Sequence, residues 1–572
     1  MASSRSLAPV LLLGAGAGEA ACGILYIASY LRRGGVESYV RVFDWDVTEE
    51  EMQVSLEALL GRVCPKVVGL SLKWFHHVYR AIQIARIIRS IDPGIRIAIG
   101  GNTAAHWWKE LSTFDCFDDI ILGDGELPLL ALCQGHPAPP NVISRKAGVS
   151  PQRVPLGYVQ SATNSDDVYY SHFSELFLSE RDRSAFSGWI EPGKGCKENC
   201  LYCAGARKNQ REDFGRLNPF VRPEGLVRRD HVELVSHTWQ IRYDFPGSTA
   251  EYLEATWAGV DLSKHLCTYF LWGLPTLEMI DALSNRFEKV YVVLDIGCFS
   301  ELQRKTLMAK GVLKPCPTDA ELLSFIERSR KNRNVEFEVS GIAGLPLASK
   351  ETLHEELKFA ETVIALDCVG GYQRLEAQPG ALVTDRPERY DMQTEAKTFS
   401  EFLSYFEQLE PGDNSVPMIR FKDRALEEEV ERTSQQVSKL AWAHRTKRRK
   451  VPMKATTRLH NTTASTRQFT MSDWFGVHGV PARVAKEPLT VVRSTYGAYL
   501  NLTTAVSPRK FADASLRQGE EARILEAALA TFAQPIAVAQ GVTQLASSTR
   551  IDAHTAREAI QFLAEGLFLQ PG

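Results

Sequence analysis

The hydrophobic pattern divides the chain into blocks. Up to about residue 135, short apolar runs at 10–13, 38–43, 67–72, 95–99 and 119–122 alternate with helical periodicity at 22–31, 49–59, 76–91 and 105–111. Runs apolar on both faces, separated by helices, predict a parallel sheet covered on both sides. Right-handed crossovers then make it a doubly wound, Rossmann-like α/β sheet of five strands. The alternation returns later, with strands expected at 231–234, 267–271, 290–294, 335–339 and 362–365 and helices at 275–287, 319–330 and 350–360. Such repeated units predict a partial or full barrel of parallel strands, with chemistry at the strands' carboxyl ends. Segments 395–408 and 423–440 read as amphipathic helices. The last 120 or so residues mix a strand at 491–502 with amphipathic helices at 513–532 and 553–568, the second of them N-capped by Asp552, as in an α+β, winged-helix-like cap. The expected divisions are 1–146, a linker at 147–186, a barrel core at 187–375, a helical extension with a basic segment at 376–454, and a C-terminal cap or substrate domain at 455–572.

Composition narrows the classes. A chain of 572 residues is too long for a lone binding module. Its 66 Lys and Arg against 69 Asp and Glu, a net charge of −3, give no overall field to recruit nucleic acid or an anionic membrane. The basic run at 445–450 is a local exception, and the acidic stretch before it favours a solvated helix end or a clamp for an acidic ligand. The absence of an 18-residue apolar run leads to the expectation of a cytoplasmic protein. Eleven cysteines, an odd number, fit reduced thiols rather than a disulfide framework.

Two groups of residues carry candidate chemistry. The expected strand ends of the first sheet read Ser71-Leu72-Lys73-Trp74, Gly100-Gly101-Asn102-Thr103 and Gly123-Asp124-Gly125-Glu126. Glycines at these ends let backbone approach a flat or bulky ligand, and also occur in ordinary tight turns. A phosphate-binding P-loop is absent. Further on, Cys196, Cys200 and Cys203 stand in a Cys-x3-Cys-x2-Cys pattern. Three thiolates on one loop can hold three irons of a four-iron, four-sulfur cube and leave the fourth iron open. Structural zinc is the second reading; it needs a fourth ligand, and His172 and His231 are distant in sequence.

In this order, the motifs resemble the cobalamin-dependent radical S-adenosylmethionine family over about residues 10–365. The resemblance implies a Rossmann-like cobalamin-binding domain followed by a radical S-adenosylmethionine partial (β/α)6 barrel. It implies that Ser71, Gly101, Asn102, Thr103, Gly123, Gly125 and Glu126 surround the corrin and its nucleotide tail. It likewise implies that Cys196, Cys200 and Cys203 hold a 4Fe-4S cluster, with S-adenosylmethionine on the open iron and Tyr202 beside the adenine. Gly273 falls where the family has a turn meeting the methionyl amine, although the usual Glu is missing, and Ser340 falls near the ribose or carboxylate. A second departure is Asp44-Trp45-Asp46, where many cobalamin domains carry a cobalt-ligating His. Lys73 or Trp74 would then cover the lower face of the corrin, or make ordinary loop contacts.

Size and domain order resemble the tryptophan-methylating branch of the family. That implies a C-methyltransferase acting on a small aromatic or peptidic metabolite and served by an external electron donor. A cyclase or ring-rearranging oxidoreductase shares every cofactor motif. Candidates to accept a proton are Tyr269, Asp295 and Glu336, with Glu338 beside them.

Overall fold

The computed structural model describes residues 7–15, 22–43, 47–136, 139, 141–145, 168–178 and 188–449, bar 217, 239, 246, 410–412 and 414, and segments between 481 and 571. The expectations that rest on Asp44-Trp45-Asp46 and on most of the linker at 147–186 lie outside the described residues.

The first sheet contains β1 (Val10–Ala15), β2 (Ser38–Phe43), β3 (Val67–Ser71), β4 (Arg96–Gly100), β5 (Asp119–Ile121) and β6 (Val142–Ser144) in the order β2-β1-β3-β4-β5-β6. The first five strands are parallel. The unexpected sixth runs antiparallel to β5 and closes that edge. Val10 to Leu13 are at most 1% exposed, as an all-apolar strand covered on both faces requires. The helix Glu49–Val63 starts on a capping box in which Thr48 and Glu51 satisfy each other's backbone N–H. The chain reverses direction across the sheet between β1 and β3, so the crevice for a ligand opens beyond the carboxyl ends of those strands.

The second sheet has six parallel strands: β7 (Gly188–Ile190), β8 (Gln240–Asp244), β9 (Leu266–Trp272), β10 (Lys289–Asp295), β11 (Val335–Ala343) and β12 (Val369–Arg374). They lie in sequence order, and β7 and β12 do not pair with each other, so the sheet is a partial barrel. Both sheets belong to one compact unit. Arg222 joins their surroundings: its guanidinium meets the Asp230 carboxylate at 2.8 Å and the Tyr26 hydroxyl at 3.1 Å, and Tyr26 also donates to Asp230 at 2.8 Å. The helix Phe399–Glu407 returns to the first domain, placing Phe402 5.6 Å from Phe75 and 5.4 Å from Trp107 between ring centres.

Several expectations are corrected. Residues 231–234 are the last turn of a helix, Glu224–Leu234, not a strand. Its buried positions, Leu226, Val227, Asp230, His231 and Leu234, recur at helical spacing. Residues 362–365 end the helix Lys350–Ala365, and the strand comes afterwards as β12. In the second compact unit, the strand expected at 491–502 is two strands, Thr490–Ser494 pairing antiparallel with Gly497–Leu502, and the helix expected at 513–532 contains the strand Ser515–Arg517. Asp552 caps as expected, accepting the N–H groups of His554 and Thr555 at 2.8 and 2.9 Å. Among the described residues no helix is long and apolar enough to cross a membrane.

Candidate active site

The loops after β3 and β4 are locked together. The N–H of Thr103 donates to the Leu72 carbonyl at 3.1 Å, and the Thr103 hydroxyl donates to the Lys73 carbonyl at 3.0 Å. This close approach needs Gly101, whose φ is +110° and whose missing Cβ would lie 2.8 Å from the Leu72 carbonyl carbon and oxygen. Lys73 reaches back to the Cys22 sulfur at 3.7 Å and sits 5.3 Å from the centre of the Trp189 ring and 5.5 Å from that of Trp74. Burial works to discharge its ammonium, but Cys22, Glu191 and Asp244 outweigh it and hold the Lys73 pKa above its ordinary value.

Beyond β5, Asp124 and Glu126 are both buried, and their partners come from the other sheet's side of the molecule. Lys194 stands 3.2 Å from Asp124 and 3.9 Å from Glu126, and Arg216 bonds Asp124 at 2.8 Å. Burial raises the Glu126 carboxyl despite Lys194, whereas Arg216 and Lys194 overcome burial at Asp124 and lower it. The two carboxylates therefore differ in proton affinity although they share one cation.

Lys194 lies two residues before the first cysteine of the cluster motif. After Gly195, with φ +93°, the loop carries Cys196, Cys200 and Cys203. Each sulfur accepts one backbone N–H: Cys196 from Glu198 at 3.4 Å, Cys200 from Lys314 at 3.3 Å, and Cys203 from Gly205 at 3.2 Å. The loop is pinned on both sides at Leu201, whose N–H donates to Val312 and whose carbonyl accepts from Val383. Burial raises all three thiols, Cys203 to about 12. Among the described residues no three His, Cys, Asp or Glu side chains gather closely enough to hold a single metal ion. The sulfurs instead share one cavity wall and have their acceptor positions turned to N–H donors, an arrangement that suits thiolate ligands of a cluster.

The cysteines, the charged groups and the glycine-rich strand ends line one cavity of about 430 Å³. It brings together the three cysteines and Tyr202 with Ser71, Lys73, Trp74, Gly101, Asn102, Thr103, Gly123, Gly125 and Glu126. Tyr202 is buried, and its hydroxyl has no hydrogen-bond partner among the described residues. Asp295, at the end of β10, also lines the cavity; its carboxylate accepts the Gly297 N–H at 2.8 Å and pairs with Lys314 at 2.6 Å.

The other expected residues lie elsewhere. Tyr269 is buried in β9, its hydroxyl donating to the Phe245 carbonyl at 2.9 Å. Glu336 lies near the start of β11, away from the strand's carboxyl end, and pairs with Lys289 at 2.7 Å. Glu338 accepts the Gly371 N–H, and Ser340 donates to the Gly371 carbonyl. Gly273 adopts φ +110° next to Trp272, which does line the cavity. Sequence reasoning missed Lys194, Arg216, Lys314 and the His106–Asp213 pair, whose ring nitrogen and carboxylate are 3.1 Å apart. The available signal was the acidic pair Asp124 and Glu126, which cannot be buried without cations.

Residues 10–133 match the model of the B12 binding domain family. The solved radical S-adenosylmethionine methyltransferase TsrM from Kitasatospora setae, with cobalamin and a [4Fe-4S] cluster bound, superposes with a TM-score of 0.54 at 13% identity, covering 74% of this chain and 91% of its own. The fold is that of TsrM, with a B12 binding domain at residues 10–133. A second structure of TsrM, with tryptophan substrate and aza-SAM bound, gives 0.54 at 15% identity, covering 76% and 89%. A cobalamin-dependent S-adenosylmethionine radical enzyme, OxsB, gives 0.43 at 14% identity, covering 63% and 52%. No curated protein matches the chain. The B12 binding domain supplies one wall of the cavity and the partial barrel supplies the other.

Proposed function

We propose that this protein is a cobalamin- and S-adenosylmethionine-dependent C-methyltransferase acting on a small aromatic or peptidic metabolite, with tryptophan-like compounds the first to try. The observation that carries the reading is the single cavity running from the glycine-lined strand ends of the B12 binding domain to Cys196, Cys200 and Cys203. Cobalamin, the 4Fe-4S cluster and S-adenosylmethionine, when bound, would supply methyl-carrying and one-electron chemistry. Gly101, Gly123 and Gly125 leave room for close backbone approach on the side where cobalamin would bind, and Cys196, Cys200 and Cys203 would hold the cluster on the other. Trp189, Trp272 and Phe245 also line the cavity and would give an aromatic substrate apolar surface to lie against. Asp295, held by Gly297 and Lys314, is one of the lining carboxylates, and it would accept a proton or hold a substrate amine.

Anaerobic incubation with methyl-deuterated S-adenosylmethionine, a low-potential reductant and a substrate panel beginning with tryptophan tests this. The expected product gains one intact trideuteromethyl group. A product that has lost two hydrogens and carries no label would overturn the proposal in favour of a cyclase or ring-rearranging oxidoreductase.

A further inference from the structure

Lys314 links the cavity lining to the cysteine loop. Its side chain is only 4% exposed, its ammonium meets Asp295 at 2.6 Å, and both residues line the cavity. Its own backbone N–H is the donor to the Cys200 sulfur at 3.3 Å. Six bonds separate that nitrogen from the ammonium, so the charge lies no further than roughly 11 Å from the sulfur. It is held there from two directions. The preceding residue but one, Val312, accepts the Leu201 N–H of the cysteine loop at 2.9 Å, and β10 delivers Asp295. A cation buried beside a group that gains negative charge on reduction favours the reduced state, and burial strengthens the effect by limiting solvent screening.

We infer that Lys314 sets the reduction potential of the cluster held by Cys196, Cys200 and Cys203, with Asp295 as the opposing charge that limits its effect; this rests on the cluster reading of the site. The event influenced is the uptake of one electron from an external one-electron reductant. No bond forms or breaks in it, and no proton is bound. Lys314 is a positioning residue in this sense, acting through its charge on the cysteine pocket. Replacing its side chain leaves the backbone N–H to Cys200 in place, so substitution isolates the charge.

The test uses full-length protein reconstituted anaerobically, with iron and sulfide content measured first and the midpoint potential then read by paramagnetic resonance during redox titration. A unit charge at roughly 10 Å and an effective dielectric of about 20 changes a one-electron equilibrium by about tenfold. Lys314→Met is therefore expected to make reduction about tenfold less favourable, a fall of about 59 mV for one electron. Asp295→Asn is expected to shift the potential in the opposite sense, and Lys314→Arg to keep the wild-type value. Should Lys314→Met fail to load, Asp295→Asn must still raise the potential and Lys314→Arg must still hold it. An unchanged potential in loaded Lys314→Met, or shifts of the same sign in Lys314→Met and Asp295→Asn, would overturn the inference. A wild-type protein that takes up no cluster would overturn the cluster reading instead.

Discussion

Replacing Gly101 by alanine puts the architecture of the cavity wall under direct strain. With φ +110° and ψ 176°, this residue occupies backbone space that is nearly reserved for glycine, at a cost of about 1–3 kcal/mol to any other residue. The added Cβ would also lie 2.8 Å from the Leu72 carbonyl carbon and oxygen and 3.0 Å from the Lys73 nitrogen. These are backbone atoms, already tied to Thr103 and Ala104, and cannot swing aside as a side chain would. Overpacking of this kind costs roughly 1–3 kcal/mol more, so Gly101→Ala is expected to destabilise by about 2–6 kcal/mol. Relief would come by displacing Leu72 and Lys73 from the wall, which weakens cobalamin binding as well as stability. Gly61→Ala is the matched control: it lies in the helix Glu49–Val63 with nothing within 4 Å of the new methyl, and a gain of about 0.5–1 kcal/mol is expected. Urea unfolding followed by circular dichroism gives the stabilities, and equilibrium dialysis against hydroxocobalamin gives the binding. Gly101→Ala protein with wild-type stability and wild-type binding would refute the reasoning.

Two further substitutions probe buried charge. Asp230→Asn leaves Arg222, 3% exposed, without its counter-ion and is expected to lower stability by about 3–5 kcal/mol; in urea titrations, the Asp230→Asn, Arg222→Met double variant should lose less than the sum of the single losses, and strict additivity would count against the pairing. Burial pushes Glu356 from its ordinary 4.5 up to about 8, although Tyr372 donates to its carboxylate. The folded state therefore keeps a proton that the unfolded state releases, so this group's contribution to stability is complete below pH 4.5 or so and declines as the pH rises toward about 8. Glu356→Gln removes that slope, which urea midpoints measured between pH 5 and about 8 would reveal; parallel curves for variant and wild type would contradict it.

The five parallel strands of the first sheet were legible from short, mostly apolar runs, as were β9, β10 and β11 of the second, whereas β8 and β12 hide behind local chemistry. β8 reads Gln-Ile-Arg-Tyr-Asp, and its polar members look like a surface segment. In the fold Arg242 is buried, with its guanidinium 4.5 Å from the Trp189 ring centre and 5.3 Å from that of Phe270. β12 begins Val-Gly-Gly, and its glycines conceal a strand that the β-branched stretch at 362–365 mimics just upstream. That stretch stays helical because the capping box at Ser349 starts a helix whose buried Leu353, Glu356, Ala360 and Val363 form one face. The cysteine motif and the glycine-rich strand ends could be read locally. Lys194, Arg216 and Lys314 could not, because what makes them part of the site is a partner far along the chain.

The pinning of Leu201 also has a bearing on the order of biosynthesis. The cysteine loop is held by Val312 on one side and Val383 on the other, the latter about 180 residues further along the chain. At ribosomal rates of about 5–20 residues per second, some 10–40 s separate the emergence of Cys203 from that of its last anchor. The first sheet, complete by Ser144, can form well before then. Its crevice is thus formed on the nascent chain while the three sulfurs are still on an unsecured loop, so the cysteine loop takes its final geometry only after the first sheet has folded.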